Sequence, residues 1–353
     1  MESSRKVKAI FLFHPFFGAP HEETEKVYKT QFGTPNPATG RVALNEIEYK
    51  IIHGDSFDPK PYGENDPDVK ILLLNHGPYT THIETLLQNY PSIEWVQVLS
   101  AGVDQFMTPA IKAHPSKFGR GKGSYSDSLA EGVAFYMLWF CKKTDYFIKT
   151  KIEKNYVGTG VFKLSNRCLG IIGYGDIGTA CARVAKQGFR MKVLGLKRSP
   201  EKATEEAKSY VDEILRLSDP ESMDRLVRES DFVLNITPLT PETTNLFNLD
   251  FFKKMKKTAI FMNIGRGKSV VEDDLVEAIK TGEIAGAYLD VYAQEPLPKE
   301  SPLWELENVR MTYHCIDWTE DIADTQCAVF RDNLEKFLDG GELDSLVDKQ
   351  LGY

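Results

Sequence analysis

At 353 residues the chain is longer than one ordinary hydrophobic core supports, which sets two domains as the expectation. Its 42% apolar and 27% charged residues are those of a globular protein, and a formal charge of −8 excludes the basic field that nucleic acid or an anionic membrane surface would need. The five cysteines (Cys141, Cys168, Cys181, Cys315 and Cys327) form no CxxC pair, the pattern of a reduced intracellular protein with neither a disulfide framework nor a metal site.

At the N-terminus, lysines precede the apolar run AIFLF, as in a secretion signal. The run is too short for that and is followed by His14 and Pro15, so a first β-strand is expected. No run approaches the roughly 20 apolar residues of a membrane helix, and the closing LGY is not a peroxisomal address. Cytoplasm is the default reading. Through residue 126, the apolar runs VKAIFLF, EYKIIHG, VKILLLNHG and EWVQVLS are separated by helical or Pro/Gly-rich polar stretches, which predicts a small α/β domain with a parallel sheet. A long helix starts near Ser126, with Leu129, Val133, Tyr136, Met137 and Phe140 along one face. An interdomain helix, a dimer-forming helix and a plain core helix all fit that stripe.

From Arg167 onward strands and helices alternate regularly. CLGII, KVLGL, DFVLNI, AIFMNI, AGAYLDV and VRMTYH are the candidate strands of a doubly wound parallel sheet. The expected dinucleotide-binding domain spans 127–315. The last segment, TEDIADTQCAVFRDNLEKFLDGG, is an amphipathic helix with a Gly-Gly stop. If it runs back to the first domain, that domain is discontinuous, 1–126 completed by 316–353. The fold class is α/β, with two Rossmann-like domains.

After the strand CLGII comes Gly173-x-Gly175-x-x-Gly178, followed by a helix and a further strand. In that setting Gly173 makes the tight turn, Gly175 lets the backbone approach a pyrophosphate, and Gly178 lets helix pack on strand, with Asp176 and Ile177 opening the helix toward the phosphates. Nineteen residues past Gly178, where an NAD site places a carboxylate, the chain has Lys197, Arg198 and Ser199. Two cations and a hydroxyl attract a 2′-phosphate, so NADP(H) is preferred and NAD(H) possible.

Ligands of an open parallel sheet bind beyond the carboxyl ends of its strands. Arg266, Asp290, Glu295 and His314 all fall just past late strands. His314 is the only histidine after His114, and alone it would read as a packing residue. With the others it suits hydride transfer to a 2-oxo acid. Arginine grips the carboxylate bidentately and polarises the carbonyl, histidine donates the proton, and a neighbouring carboxylate keeps the imidazole charged and oriented.

These residues resemble the D-2-hydroxyacid dehydrogenase family, through GIIGYGDIG, NIGRGKSVVEDDL, GAYLDVYAQEPLP and HC. SAGVDQF is similar to the family's substrate loop, and LAEGVAF to the start of its interdomain helix. VVEDDL, PLPKESPLW and the basic LKRS look most like the NADPH-linked glyoxylate/hydroxypyruvate reductase branch. The resemblance implies a homodimer, with Arg266, Glu295 and His314 catalytic. It also implies that amides near Ala101, Gly102 and Val103 hold the substrate carboxylate, and that Thr237, Pro238, Ile264 and Asp290 line the cofactor. Two departures stand out: Tyr313 where the family has proline, and Cys-Ile-Asp317-Trp318 where it has small residues. The expectation is a reductase of glyoxylate or hydroxypyruvate with hydride crossing a cleft between domains. A reductase of larger acids such as phenylpyruvate, and a non-enzymatic dinucleotide-sensing corepressor or scaffold, stay open at this point.

Overall fold

The computed structural model of the protein describes residues 6–15, 20–75, 77 and 79–353. Residues 1–5 of the N-terminal stretch discussed above, and His76 at the end of VKILLLNHG, lie outside the described residues. The chain divides into two compact units, one formed by residues up to Tyr125 together with Glu320–Tyr353, the other by Ser126–Thr319.

The first unit starts β1 (Lys8–Phe13), α1 (His21–Phe32), β2 (Glu48–His53), β3 (Val69–Leu74), α2 (Thr80–Asn89), β4 (Trp95–Val98), α3 (Pro109–Ala113) and β5 (Lys117–Gly119). The strands form one parallel sheet in the order β2-β1-β3-β4-β5. Because side chains alternate along a strand, Ile10, Leu12, Leu72 and Leu74 enter one core with Ile83 and Leu86 of α2. Phe11, Phe13, Ile71, Leu73 and Trp95 enter the other. Both faces being covered explains the near-continuous apolar runs in the sequence. β5 is absent from those runs because its three residues, Lys-Phe-Gly, offer one apolar side chain.

The second unit continues with α4 (Ser126–Cys141), α5 (Thr144–Ile152), β6 (Cys168–Ile172), α6 (Asp176–Arg183), β7 (Lys192–Lys197), α7 (Glu205–Ser209) and β8 (Glu213–Arg216). It is completed by α8 (Pro220–Glu229), β9 (Phe232–Asn235), α9 (Leu249–Phe252), β10 (Ile260–Asn263), α10 (Glu272–Lys280), β11 (Gly286–Leu289) and β12 (Val309–Met311). All seven strands are parallel, in the order β12-β11-β10-β9-β6-β7-β8. The order reverses between β6 and β9, the switch point at which such sheets open a crevice for ligands. Six of these strands match the candidate runs. β8 does not, because only Leu215 of its four residues is buried.

The C-terminal helix α11 (Ile322–Leu338) belongs to the first unit. Phe330 packs edge-on against Phe11, with ring centroids 5.7 Å apart, and stacks on Trp95 at 5.3 Å. Truncating so large a buried ring typically costs about 3–5 kcal/mol. The helix ends as the Gly-Gly pair predicts: Gly340 takes φ +70°, its N–H donates to Phe337, and the Gly341 N–H donates to Lys336. In α4, Leu129, Val133 and Met137 are buried and Tyr136 stacks on Tyr288 of β11, with centroids 3.9 Å apart. The Tyr136–Tyr288 stack lies within the second unit, as the core-helix reading of the stripe expects. No helix among the described residues is long and apolar enough to cross a membrane.

Candidate active site

The glycine-rich turn follows β6. Gly173 sits at φ +99°, and a Cβ there would stand 2.7 Å from the Ile236 carbonyl oxygen, so both conformation and crowding demand glycine. A Cβ on Gly175 would meet nothing nearer than Gly173 O at 4.0 Å, which leaves this side of the turn open. At Gly178 it would lie 3.2 Å from Gly173 O and from Ile171, where α6 lies on its strand. Asp176 begins α6 and its Oδ2 accepts the Ser126 hydroxyl at 2.5 Å, and Ile177 is half-buried beside it. An open turn at a helix N-terminus fits a bound pyrophosphate.

Beyond β7, the Lys197 ammonium turns back and donates to Tyr174 O at 2.8 Å, bracing the turn. Arg198 is exposed, and Ser199 is half-buried. Of the carboxylates nearby, Glu201 is paired with Arg216 at 2.8 Å, and Glu242 feels the charge of Arg198.

The catalytic candidates hang on a buried amide network. β9 and β10 both end in asparagine, and Asn235 Nδ2 donates to Asn263 Oδ1 and to Ser269 Oγ, each at 2.9 Å. Asn263 Nδ2 donates to the Arg266 carbonyl at 3.2 Å, Ser269 Oγ to the same oxygen at 2.6 Å, and Gly265 N–H to Asn263 Oδ1 at 3.1 Å. Asn235 Oδ1 in turn accepts Thr237 N–H at 2.9 Å and its hydroxyl at 2.7 Å. One pair of buried amides therefore positions Arg266 and the Thr237–Pro238 segment together, with Ile264 buried between. The next residue, Gly267, touches the Tyr292–Ala293 backbone so closely that a Cβ would be 1.8 Å from the Tyr292 carbonyl carbon.

Tyr292 carries the contact onward. Its N–H donates to Glu295 Oε1 at 2.9 Å, and Glu295 Oε2 lies 2.8 Å from His314 Nδ1. His314 is not in a strand: β12 stops at Met311, where the sequence suggested a strand running to the histidine. The cause is Asp290, at the end of β11 and only 2% exposed. Its Oδ1 accepts the Thr312 hydroxyl at 2.5 Å and Cys315 N–H at 3.2 Å, and its carbonyl accepts His314 N–H at 2.6 Å. Tyr292 Oη adds a bond to Thr312 O at 2.6 Å. Captured this way, His314 adopts φ +55°, a left-handed conformation uncommon outside glycine and asparagine.

The hydrogen bond from Glu295 raises the His314 imidazole above its ordinary range, outweighing burial and the opposing charge of Arg266. Burial pushes Glu295 the other way. Its bonds to His314 and Tyr292 N–H, with the charges of His314 and Arg266, nonetheless hold it below the usual carboxylate range. Nearby Asp317 is pushed up to about 6 by burial and then by Asp290. The raised imidazole and the lowered carboxyl both favour the ion-paired form, and the ring is exposed on one side, 47% of the side chain meeting solvent.

Arg266, Asp290, Glu295 and His314 thus meet within the second unit. Ala101, Gly102 and Val103 follow β4 in the first, where Ser100 Oγ donates to Gly102 O at 3.1 Å and Gly121 N–H to Ser100 O at 2.9 Å. Asn235, Asn263, Ser269, Gly267 and Thr312 escaped the sequence reading. The usable signal was asparagine closing two buried runs, VLN and FMN. Among the described residues, no group of three or more His, Cys, Asp or Glu is placed to hold a metal ion.

Comparison with known proteins gives a consistent result. Residues 134–315 match the family model described as D-isomer specific 2-hydroxyacid dehydrogenase, NAD binding domain. The chain is 32% identical over 321 residues to human glyoxylate reductase/hydroxypyruvate reductase, covering 88% of this chain and 94% of that protein. It is 34% identical over 262 residues to glyoxylate/hydroxypyruvate reductase B of Cronobacter sakazakii, covering 72% and 78%. A crystal structure of a D-isomer specific 2-hydroxyacid dehydrogenase from Xanthobacter autotrophicus Py2, in complex with NADPH and MES, superposes with a TM-score of 0.79 at 25% identity, covering 99% of this chain and 100% of that one.

Proposed function

This chain belongs to the D-isomer specific 2-hydroxyacid dehydrogenase family, and from that premise we propose an NADPH-preferring reductase of small 2-oxo acids, glyoxylate and hydroxypyruvate foremost. It is an NAD(P)-dependent oxidoreductase, a 2-oxo acid reductase. The observation that carries the finer reading is the 2.8 Å His314–Glu295 pair under the charge of Arg266. The names of the curated relatives support the choice of substrate, and the exposed Arg198 supports the choice of cofactor.

In this reading the second unit is the dinucleotide-binding domain, and the first supplies the substrate loop. The amides of Asp176 and Ile177 at the start of α6, with Gly173, Gly175 and Gly178, would cradle the pyrophosphate. Lys197, Arg198 and Ser199 would meet the 2′-phosphate, and Thr237, Pro238, Ile264 and Asp290 would border the nicotinamide side. When bound, NADPH supplies the hydride. Arg266 would grip the substrate carboxylate and polarise its keto group, a carboxylate-binding role for which the family resemblance also offers the amides of Ala101, Gly102 and Val103. His314 Nδ1 is engaged by Glu295, so Nε2 delivers the proton to the keto oxygen. Glu295 stabilises the imidazolium beforehand and orients the ring, and the solvent-facing side of His314 takes up the next proton.

The test is a steady-state screen of glyoxylate, hydroxypyruvate, pyruvate and phenylpyruvate with NADPH and NADH. The two small acids with NADPH should give the highest kcat/KM. A preference for phenylpyruvate would overturn the substrate assignment, and no turnover on any acid would overturn the proton-donor role in this reaction. Replacing Arg198 by alanine, which leaves the Lys197 brace on the turn in place, should raise KM for NADPH at least about tenfold, the scale of one lost charge-assisted contact. KM for NADH should barely move, and equal losses would refute 2′-phosphate recognition.

The proposed assembly is a homodimer. Of fifteen exposed large apolar side chains among the described residues, eight fall between Phe135 and Phe162, including Phe147 and Ile148 at 43% exposure and Ile152 at 76%. So concentrated an apolar surface on a chain of this charge suits a second copy of itself. Ile152→Asp should convert a dimer to a monomer in light scattering; a wild-type monomer would end the idea.

A further inference from the structure

Three residues past His314, the same turn carries a carboxyl that the mechanism above does not use. Asp317 Oδ1 is shut off from solvent and has no hydrogen-bond partner. The charged groups that face it are Asp290, from the end of β11, and His314 on its own turn. His314 is in turn under Glu295 and Arg266, while Tyr136 of α4 faces Asp290 and Cys315. Glu295 is already committed to His314 at 2.8 Å. The Asp290 oxygen is committed to the neutral donors of Thr312 and Cys315. His314, the cation that faces Asp317, is therefore already paired with another carboxylate.

Arg266 and His314 bring positive charge to this cluster, and Glu295, Asp290 and Asp317 bring negative charge when ionised, with Glu272 beside Glu295. Ionised Asp317 adds one more negative charge before an anionic substrate brings its own.

We propose that Asp317 is a specificity-determining carboxyl whose loss of charge admits a 2-oxo acid anion, so that substrate binding takes up a proton at this residue. The proposal rests on the reductase reading above and deepens it. Burial, and then the charge of Asp290, push Asp317 up to about 6, inside the range where an enzyme can be assayed. Above that range the carboxylate puts a negative charge beside His314 that repels an anionic substrate; below it the neutral acid does not. The effect appears in KM rather than kcat, because the His314–Glu295 pair that moves the proton is intact in both states. Repulsion between two unit charges at close range is worth from roughly severalfold at the dielectric of water to several hundredfold at that effective in proteins, so about tenfold is expected.

The experiment measures kcat and KM for glyoxylate, an anion throughout, from pH 5.5 to 8 in the wild type, Asp317→Asn and Asp317→Ser. Wild-type KM should rise about tenfold across this window. KM of Asp317→Asn should stay flat near the wild-type low-pH value, with Asp317→Ser giving the same profile should the first variant fold poorly. A flat wild-type KM, or parallel profiles in wild type and variants, overturns the role of Asp317. Absence of wild-type turnover strikes the reductase reading instead. Thermal unfolding separates the two further. A carboxyl raised in the folded state adds stability below its unfolded pKa that is lost as pH rises through about 6. Asp317→Asn should therefore gain melting temperature relative to wild type above pH 7 and not below pH 5; no such difference counts against the proposal even without turnover.

Discussion

Replacing His314 with glutamine is expected to lower kcat on the order of 10²–10⁴-fold, with NADPH affinity within about twofold of wild type. Glutamine can hydrogen-bond to Glu295 but carries no titratable proton, so the variant separates orientation from proton delivery. It also removes the first of the groups that hold Glu295 below its ordinary range, leaving the Tyr292 N–H and Arg266 to oppose burial. Steady-state rates with glyoxylate, paired with a fluorescence titration of NADPH, read the two quantities separately. Because the Glu295 bond raises the imidazole, wild-type reduction should hold to higher pH than a free imidazole allows and then fall. Near-normal turnover in the glutamine variant would remove His314 from the chemistry altogether.

Gly267→Ala is the second large expected effect, and it acts without touching a reacting group. The new Cβ would lie 1.8 Å from the Tyr292 carbonyl carbon, 1.9 Å from its oxygen and 2.4 Å from Ala293 N. These are backbone atoms, which cannot rotate aside as a flexible side chain would. Carbon contacts settle at roughly 3.5–4.0 Å, so one of the two loops must retreat by well over an ångström. One loop carries Arg266 and the other Glu295. Misplacement of about 1 Å costs on the order of 10²-fold in rate, and overpacking of this kind destabilises by about 1–3 kcal/mol. kcat/KM should fall about a hundredfold and the melting temperature should drop. Gly158, where a Cβ meets nothing within 4 Å, is the matched control: equal behaviour of Gly158→Ala and Gly267→Ala would refute the coupling of the two loops.

The glycine-rich turn, the strand-helix rhythm and the three candidate catalytic residues were legible because each carries a local signal. Gly173 needs its positive φ, buried parallel strands need unbroken apolar runs, and Arg266, Glu295 and His314 are polar groups at the ends of such runs. β8 was illegible for the same reason, since EILR buries a single side chain. What holds the site together was harder to see. Asn235 and Asn263 are 28 positions apart in sequence and meet only because β9 and β10 are neighbours. Gly267 looks like any glycine in a loop until Tyr292 is placed against it. The end of β12 depends on Asp290, which the sequence offered as a cofactor-lining residue but which also ties down Thr312 and Cys315.

The amide network has a consequence for how this protein can diversify. Arg266 and Thr237 are fastened to one asparagine pair, so substitutions there disturb both ends of the reaction at once and leave little room for gradual change. Residues 316–319 lie outside that network, held among other contacts by the Cys315 N–H to Asp290, the Trp318 N–H to the Cys315 carbonyl at 3.0 Å and the Thr319 N–H to the Asp317 carbonyl at 2.9 Å. Trp318 is 56% exposed. Ile316 to Thr319 thus adjoin the proposed reaction centre, and libraries that vary this segment test how far the substrate can change while Arg266, Glu295 and His314 stay in place.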